Sequence, residues 1–256
     1  LQSCTDNLVY TGTDIEVVLT GNTYQAAFTE SSPVSTFNSG NQILLNASGS
    51  LQIDNRILTY MDNQWKAENE FSWSDLTGKT NVTAVYPVYP DLDYVQENLY
   101  KNNSLEDILY VKDEFPAGNS IHLQFKHLFS LLTLHLEGNL QTYFQKIEVT
   151  CPAVSSIIPK SAEIVLADNG THTTTIAQVS PSGNYSFIVP PVGNMVIAIN
   201  MVTNGKKYTT QLETKSFTGN KEYTYHLKIS EKTPGIMTAE DWIAFSQLIN
   251  SNTFTQ

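Results

Sequence analysis

Residues Ile121–Gly138 read IHLQFKHLFSLLTLHLEG, and the apolar positions change phase partway along. In the first half they are Ile121, Leu123, Phe125, Phe129 and Leu131; in the second half they are Leu132, Leu134 and Leu136. Alternate side chains of a strand point to opposite faces, so the apolar face switches sides near Phe129–Leu132. One flat strand facing a single core does not do this, because a one-residue slip swaps its faces. Two arrangements satisfy the pattern: a single buried strand with a bulge, or a strand that leaves one core and enters another. A chain of 256 residues is long enough for two ordinary domains, which favours the second arrangement, a hinge between two β units.

Composition points the same way. Hydrophobic residues make up 41% of the chain, enough to bury a core. Thr, Val, Ile, Tyr and Phe are plentiful and helix-forming runs are scarce, which favours strands. The net charge of −11 argues against nucleic acid, whose phosphates need a basic face. No apolar run reaches the roughly 18 residues of a membrane-spanning helix. The two cysteines, Cys4 and Cys151, suggest neither a disulfide framework nor a zinc site. Leu1-Gln2-Ser3-Cys4 has the form of a bacterial lipobox, in which the cysteine becomes the acylated first residue. The same four residues are also compatible with an ordinary thiol near a terminus.

Before the central stretch, Asp14–Thr20 reads as a first strand, with Thr23–Phe28 as its hairpin partner across Gly21-Asn22. Gln42–Leu45, Leu51–Tyr60, Phe71–Trp73, Val82–Tyr86 and Asp107–Val111 are further strands, and the polar segment from Pro90 to Glu106 reads as a surface loop. After it, Phe144–Thr150 is expected to pair with the second half of the central stretch. Ala162–Leu166 and Thr173–Ala177 flank an Asp168-Asn169-Gly170 turn. Tyr185–Val189, Met195–Thr203, Lys207–Leu212 and Glu222–Ile229 complete a set spaced as in an antiparallel sandwich. Thr238-Ala239-Glu240-Asp241 resembles a helix start, followed by an apolar face of Trp242, Phe245, Leu248 and Ile249.

Several segments, in order, resemble the fimbrillin family, subunits of the surface pili of Bacteroidales-type bacteria. They are FNSGNQILL (37–45), FSW (71–73), VTAVYP (82–87), DILYV (107–111), LQFKHLFSLLTLHL (123–136), FIVPP (187–191) and KEYTYHLKI (221–229). The resemblance implies an all-β chain of two tandem transthyretin-like antiparallel β-sandwich domains; the short C-terminal helix read from Thr238 onward departs from it. The expected division is an N-terminal lipoprotein segment (1–13), two sandwiches (14–118 and 119–230) and a tail (231–256). It further implies acylation at Cys4, membrane attachment through that lipid, an outer-membrane surface location, and union with other pilus subunits by strand addition. Pilus-forming members are trimmed by an Arg-specific protease near the first strand. This chain departs from that pattern, because its one arginine is Arg56. The expected role is a tip, anchor or accessory subunit, or an adhesin for host or bacterial surface glycans or proteins. The alternative is a carbohydrate-binding surface lipoprotein outside any pilus.

No catalytic constellation stands out, since GxSxG, HExxH and phosphate-loop patterns are missing from the sequence. An enzyme, a cofactor and a metal are therefore not expected. His127 reads as a buried structural histidine, and His122, His135, His172 and His226 have no partners at metal spacing. Asp91, Asp93 and Glu97 read as a solvated acidic loop, short of a calcium loop's ligand count. Among the aromatic residues, Trp73 and Tyr86 suit a core. Tyr89, Tyr94 and Tyr100, in the polar loop, are the candidate exposed adhesive surface.

Overall fold

The structure, a computed structural model, describes residues 15–24, 37–62, 64–67, 78–116, 123–138, 144–180, 182–203 and 206–231. Cys4, the strand expected at Phe71–Trp73 and the helix expected from Thr238 lie outside these residues, as do 117–122 at the expected domain boundary.

The described chain is almost entirely β. In order, the strands are β1 (Ile15–Tyr24), β2 (Gln42–Gly49), β3 (Ile53–Met61), β4 (Gln64–Ala67), β5 (Thr80–Tyr86), β6 (Tyr100–Lys101), β7 (Ser104–Leu105) and β8 (Leu109–Phe115). There follow β9 (Lys126–His127), β10 (Ser130–Gly138), β11 (Phe144–Ile158), β12 (Glu163–Val179), β13 (Gly183–Val189), β14 (Gly193–Thr203), β15 (Lys206–Ser216) and β16 (Glu222–Glu231). A six-stranded sheet runs β4-β3-β2-β5-β8-β9. Two four-stranded sheets, β1-β16-β10-β13 and β12-β11-β14-β15, enclose a core that includes Leu134, Leu136, Ile147, Val149, Tyr225 and Leu227.

The central stretch does divide between two sheets. Leu123 and Phe125 pack on the outer cluster of the six-stranded sheet, with Ile43, Leu45, Val82 and Val111. Leu132, Leu134 and Leu136 face the sandwich core. Between them, Leu128 and Phe129 enter a third cluster, which joins the six-stranded sheet to the sandwich. Each fully buried leucine here contributes about 1.5–3 kcal/mol.

A turn 93 residues further along, at Asn220, clamps this bend. Asn220 donates its backbone N–H to the Phe129 carbonyl (2.9 Å), and its Oδ1 accepts from the His127 N–H (3.1 Å). Ser130 Oγ donates to the Thr218 carbonyl at 2.9 Å, and Leu131 N–H to the Lys221 carbonyl at 3.0 Å.

Four local expectations are corrected. β1 runs unbroken from Ile15 to Tyr24, with a bulge at Leu19/Gly21 where a hairpin was expected, and it pairs with β16 of the sandwich. β10 pairs with β13 and β16 rather than with β11, so the two strands lie in opposite sheets. Asp168-Asn169-Gly170 makes a bulge inside β12: Pro152 pairs with Thr171 and Val154 with Leu166, so four residues of β12 oppose one of β11. The segment from Pro90 to Glu106 is a plug rather than a surface loop. It contains a single turn of α-helix (Gln96–Leu99) and the β6–β7 hairpin, and it buries Tyr89, Tyr94, Leu99 and Leu105 against Val154 and Ile157.

Candidate functional site

For a chain with this topology, the parts able to act on other molecules are sheet edges and open faces. β1 forms one edge of its sheet and β13 the other. An edge strand presents unpaired N–H and C=O groups that can template another strand. Beneath β1, β16 alternates cleanly: Tyr223, Tyr225, Leu227 and Ile229 are buried, while Thr224, His226 and Lys228 face outward. Without β1, the backbone edge of β16 would be open along the register from Ile15↔Glu231 to Tyr24↔Tyr223.

A polar cleft of about 760 Å³ lies on the inner face of the six-stranded sheet. Along β2 and β5 that face changes from Leu44 and Val85, in the joining cluster, to Asn46 and Thr83 in the cleft. The cleft is bridged to the β11–β12 turn by an ion pair of Lys160 with Asp54 (2.6 Å), and by Lys112 Nζ donating to the Ser161 carbonyl (3.3 Å). Asn46 is buried, and its Oδ1 accepts from the Asn55 N–H at 2.9 Å. Among the described residues its Nδ2 has no hydrogen-bond partner. The described lining contains no aromatic ring.

The candidate adhesive tyrosines are placed elsewhere than expected. Tyr89 and Tyr94 are 5% and 3% exposed, with ring centroids 5.0 Å apart, and Tyr100 is half-buried beside them. Tyr94 OH donates to the Pro87 carbonyl at 2.7 Å, and Tyr100 OH accepts from the Val154 N–H at 2.9 Å. Burial pushes all three phenols above their ordinary range, Tyr89 further so because it donates to the Glu106 carboxylate. Their rings are structural, and the expected exposed surface is not formed by them.

Other sequence candidates fall as follows. His127 is buried, with Nδ1 at 2.9 and 3.0 Å from the two carboxylate oxygens of buried Asp107. Tyr86 and Trp65 are half-buried and pack edge-on to Phe37. Asp91, Asp93 and Glu97 are exposed. Cys151 is buried, which pushes its thiol up to about 12, so it stays protonated and unreactive. His135 and His226, which have no partners by sequence spacing, face each other across β10 and β16 with Glu137 beside them. Sequence reasoning missed this group because strand pairing, not local spacing, assembles it.

The fimbrillin-like family profile matches residues 26–242. Among solved structures, the chain is similar to an inferred cell adhesion protein of Bacteroides uniformis ATCC 8492, with 12% identity and a TM-score of 0.55 over 77% of this chain and 92% of that one. It is also similar to an inferred cell adhesion protein of Bacteroides ovatus ATCC 8483, with 14% identity and a TM-score of 0.53 over 77% and 87%. At such identities these likenesses show a shared fold. No curated protein matches the chain. With the family profile spanning most of its length, the chain belongs to the fimbrillin-like family, structural rather than catalytic proteins of the cell-surface fimbrium.

Proposed function

We propose that this chain is a tip, anchor or accessory subunit of a fimbrium, or an adhesin carried on one, that keeps its first strand instead of losing it to form a stalk. The observation that carries this reading is the position of Arg56. It lies within β3, register-paired with Leu45 of β2, far from β1. An Arg-specific protease cutting there would need local opening of the six-stranded sheet, and the cut would remove far more than one strand. With β1 retained, β16 is covered and the subunit is closed to a donor strand at that edge. Union with other subunits then uses strand addition at a different edge, or lends a strand to a neighbour. Acylation of Cys4 would hold the protein at the outer-membrane surface; several acyl chains on one residue anchor firmly, whereas one holds reversibly.

The experiment is treatment of the purified protein with an Arg-specific protease, followed by mass spectrometry and electron microscopy. The expected result is an intact N-terminal strand and no filaments. Native pili built from this chain and starting after Thr20 would overturn the reading. Mass spectrometry of membrane-extracted protein tests the lipid, and unmodified Cys4 on full-length native protein would remove it.

The polar cleft beside Asn46 favours a second reading, a surface lipoprotein that binds carbohydrate through hydrogen bonds. The absence of an aromatic ring from its described lining makes this the weaker reading, since sugars stack on such rings. Glycan binding together with absence from filaments, by glycan array and immunoelectron microscopy, would favour it over the first.

A further inference from the structure

We propose that the outer face of the β1-β16-β10-β13 sheet carries a binding site for a divalent late transition-metal ion of the Zn²⁺ or Cu²⁺ class, held by His135, Glu137 and His226. All three ligands lie on β10 and β16, so the site does not rest on the tip, anchor or accessory reading.

The strand pairing builds it. β10 and β16 run parallel with His135 and His226 as register partners, so both imidazoles stand side by side on one face, ring centroids 4.9 Å apart. Glu137, two residues beyond His135, returns to the same face. Its Oε1 lies 3.0 Å from His226 Nδ1 and 3.6 Å from His135 Nε2. One donor atom from each residue lies within 4.8 Å of the others. Bond lengths of about 2.0–2.1 Å at a tetrahedral zinc centre set neighbouring ligand atoms ~3.3 Å apart, so small side-chain rotations bring the three donors onto one ion.

An outer partner fixes the tautomer. His135 Nδ1 hydrogen-bonds Asn184 Oδ1, on β13. An amide oxygen can only accept, so Nδ1 carries the proton and Nε2 presents its lone pair towards Glu137. Orientation of a ligating imidazole by such a second partner is characteristic of metal sites. Two imidazoles with one carboxylate suit zinc, copper or nickel and do not suit calcium or magnesium, which take oxygen ligands.

The site is open to solvent: His135, Glu137 and His226 side chains are 37%, 48% and 32% exposed. On the other flank, the β1 register partner of His226 is Gly21, which has no side chain to occupy the space. Three protein ligands leave at least one coordination position for water or for a side chain of a neighbouring molecule.

The test is calorimetric titration of the full chain with Zn²⁺, and with Co²⁺ read by its visible absorption. One equivalent is expected to bind, with a tetrahedral Co²⁺ spectrum. His135→Ala and His226→Ala should each weaken binding at least tenfold, and Asn184→Ala about tenfold although it touches no metal. His172→Ala, on the other sheet, should leave affinity unchanged. Circular dichroism of each variant keeps misfolding from counting as loss of a ligand. No Zn²⁺ binding by the folded chain, or binding that survives both histidine substitutions, would overturn the proposal.

Discussion

Gly219 lies so close to Leu128 that a Cβ on it would sit 2.5 Å from the Leu128 carbonyl oxygen. The obstacle is backbone, which cannot swing aside as a side chain can. Gly219→Ala should therefore push the 217–221 turn away from the bend between β9 and β10 and loosen the clamp made by Asn220. We expect a loss of about 1–3 kcal/mol, read from urea denaturation. An unchanged midpoint would mean that the bend is held without this turn.

The same bend depends on a buried polar pair. His127 Nδ1 lies 2.9 and 3.0 Å from the two carboxylate oxygens of Asp107, and both residues are buried. His127→Ala leaves a buried carboxylate with one partner removed, and should cost about 3 kcal/mol. Asp107→Asn keeps an acceptor of similar shape and should cost less. Equal losses from the two substitutions would count against this account.

The buried phenols give the fold an alkaline limit. Tyr89 and Tyr94 have folded-state values raised above the ordinary 10.0, chiefly by burial. A raised value stabilises fully below the unfolded value and is lost as pH climbs past it. Stability should thus hold up to about pH 10 and then fall by up to ~1.4 kcal/mol per pH unit for each phenol. Tyr94→Phe should shallow that fall, while costing about 1 kcal/mol at neutral pH through the lost bond to Pro87. A pH profile with the same alkaline slope in the variant would refute the assignment.

Removing β1 should turn a closed sheet edge into a receptive one. A variant starting at residue 25 is expected to self-associate, or to bind a synthetic peptide of residues 14–24 in one-to-one ratio, by size-exclusion chromatography and fluorescence anisotropy. A truncated chain that stays monomeric and ignores the peptide would show that β16 does not need this cover.

Much of the fold could be read in the sequence, where pattern and geometry coincide. The phase change in 121–138 corresponds to a real passage between sheets, because Leu123 and Phe125 face one cluster and Leu134 and Leu136 another. A similar crossing in β11 escaped notice. Its first half buries Ile147 and Val149 in the sandwich, and its second half buries Val154 and Ile157 in the joining cluster, with register shifts from Pro152 to Ser156 between them. The plug was equally silent: Tyr89, Tyr94, Leu99 and Leu105 recur at neither strand nor helix period, since each comes from a different turn. Asp-Asn-Gly suits a bulge as well as a hairpin, because both need positive φ, here 53° at Asn169. The histidine pair was out of reach, since Glu137 and His226 are 89 residues apart and meet only through a parallel strand pairing.

One strand reaches from core to core. β11, with 15 residues, spans ~50 Å at strand rise and is seated in the sandwich at one end and in the joint at the other. It behaves as a tie rod: tension entering along it pulls the rungs to β12 and β14 sideways, so many yield together instead of unzipping one by one. A surface protein built on this beam resists a steady drag from flow as a single piece, and the weakest place under load is the bulge at Pro152–Ser156, where the ladder is thinnest.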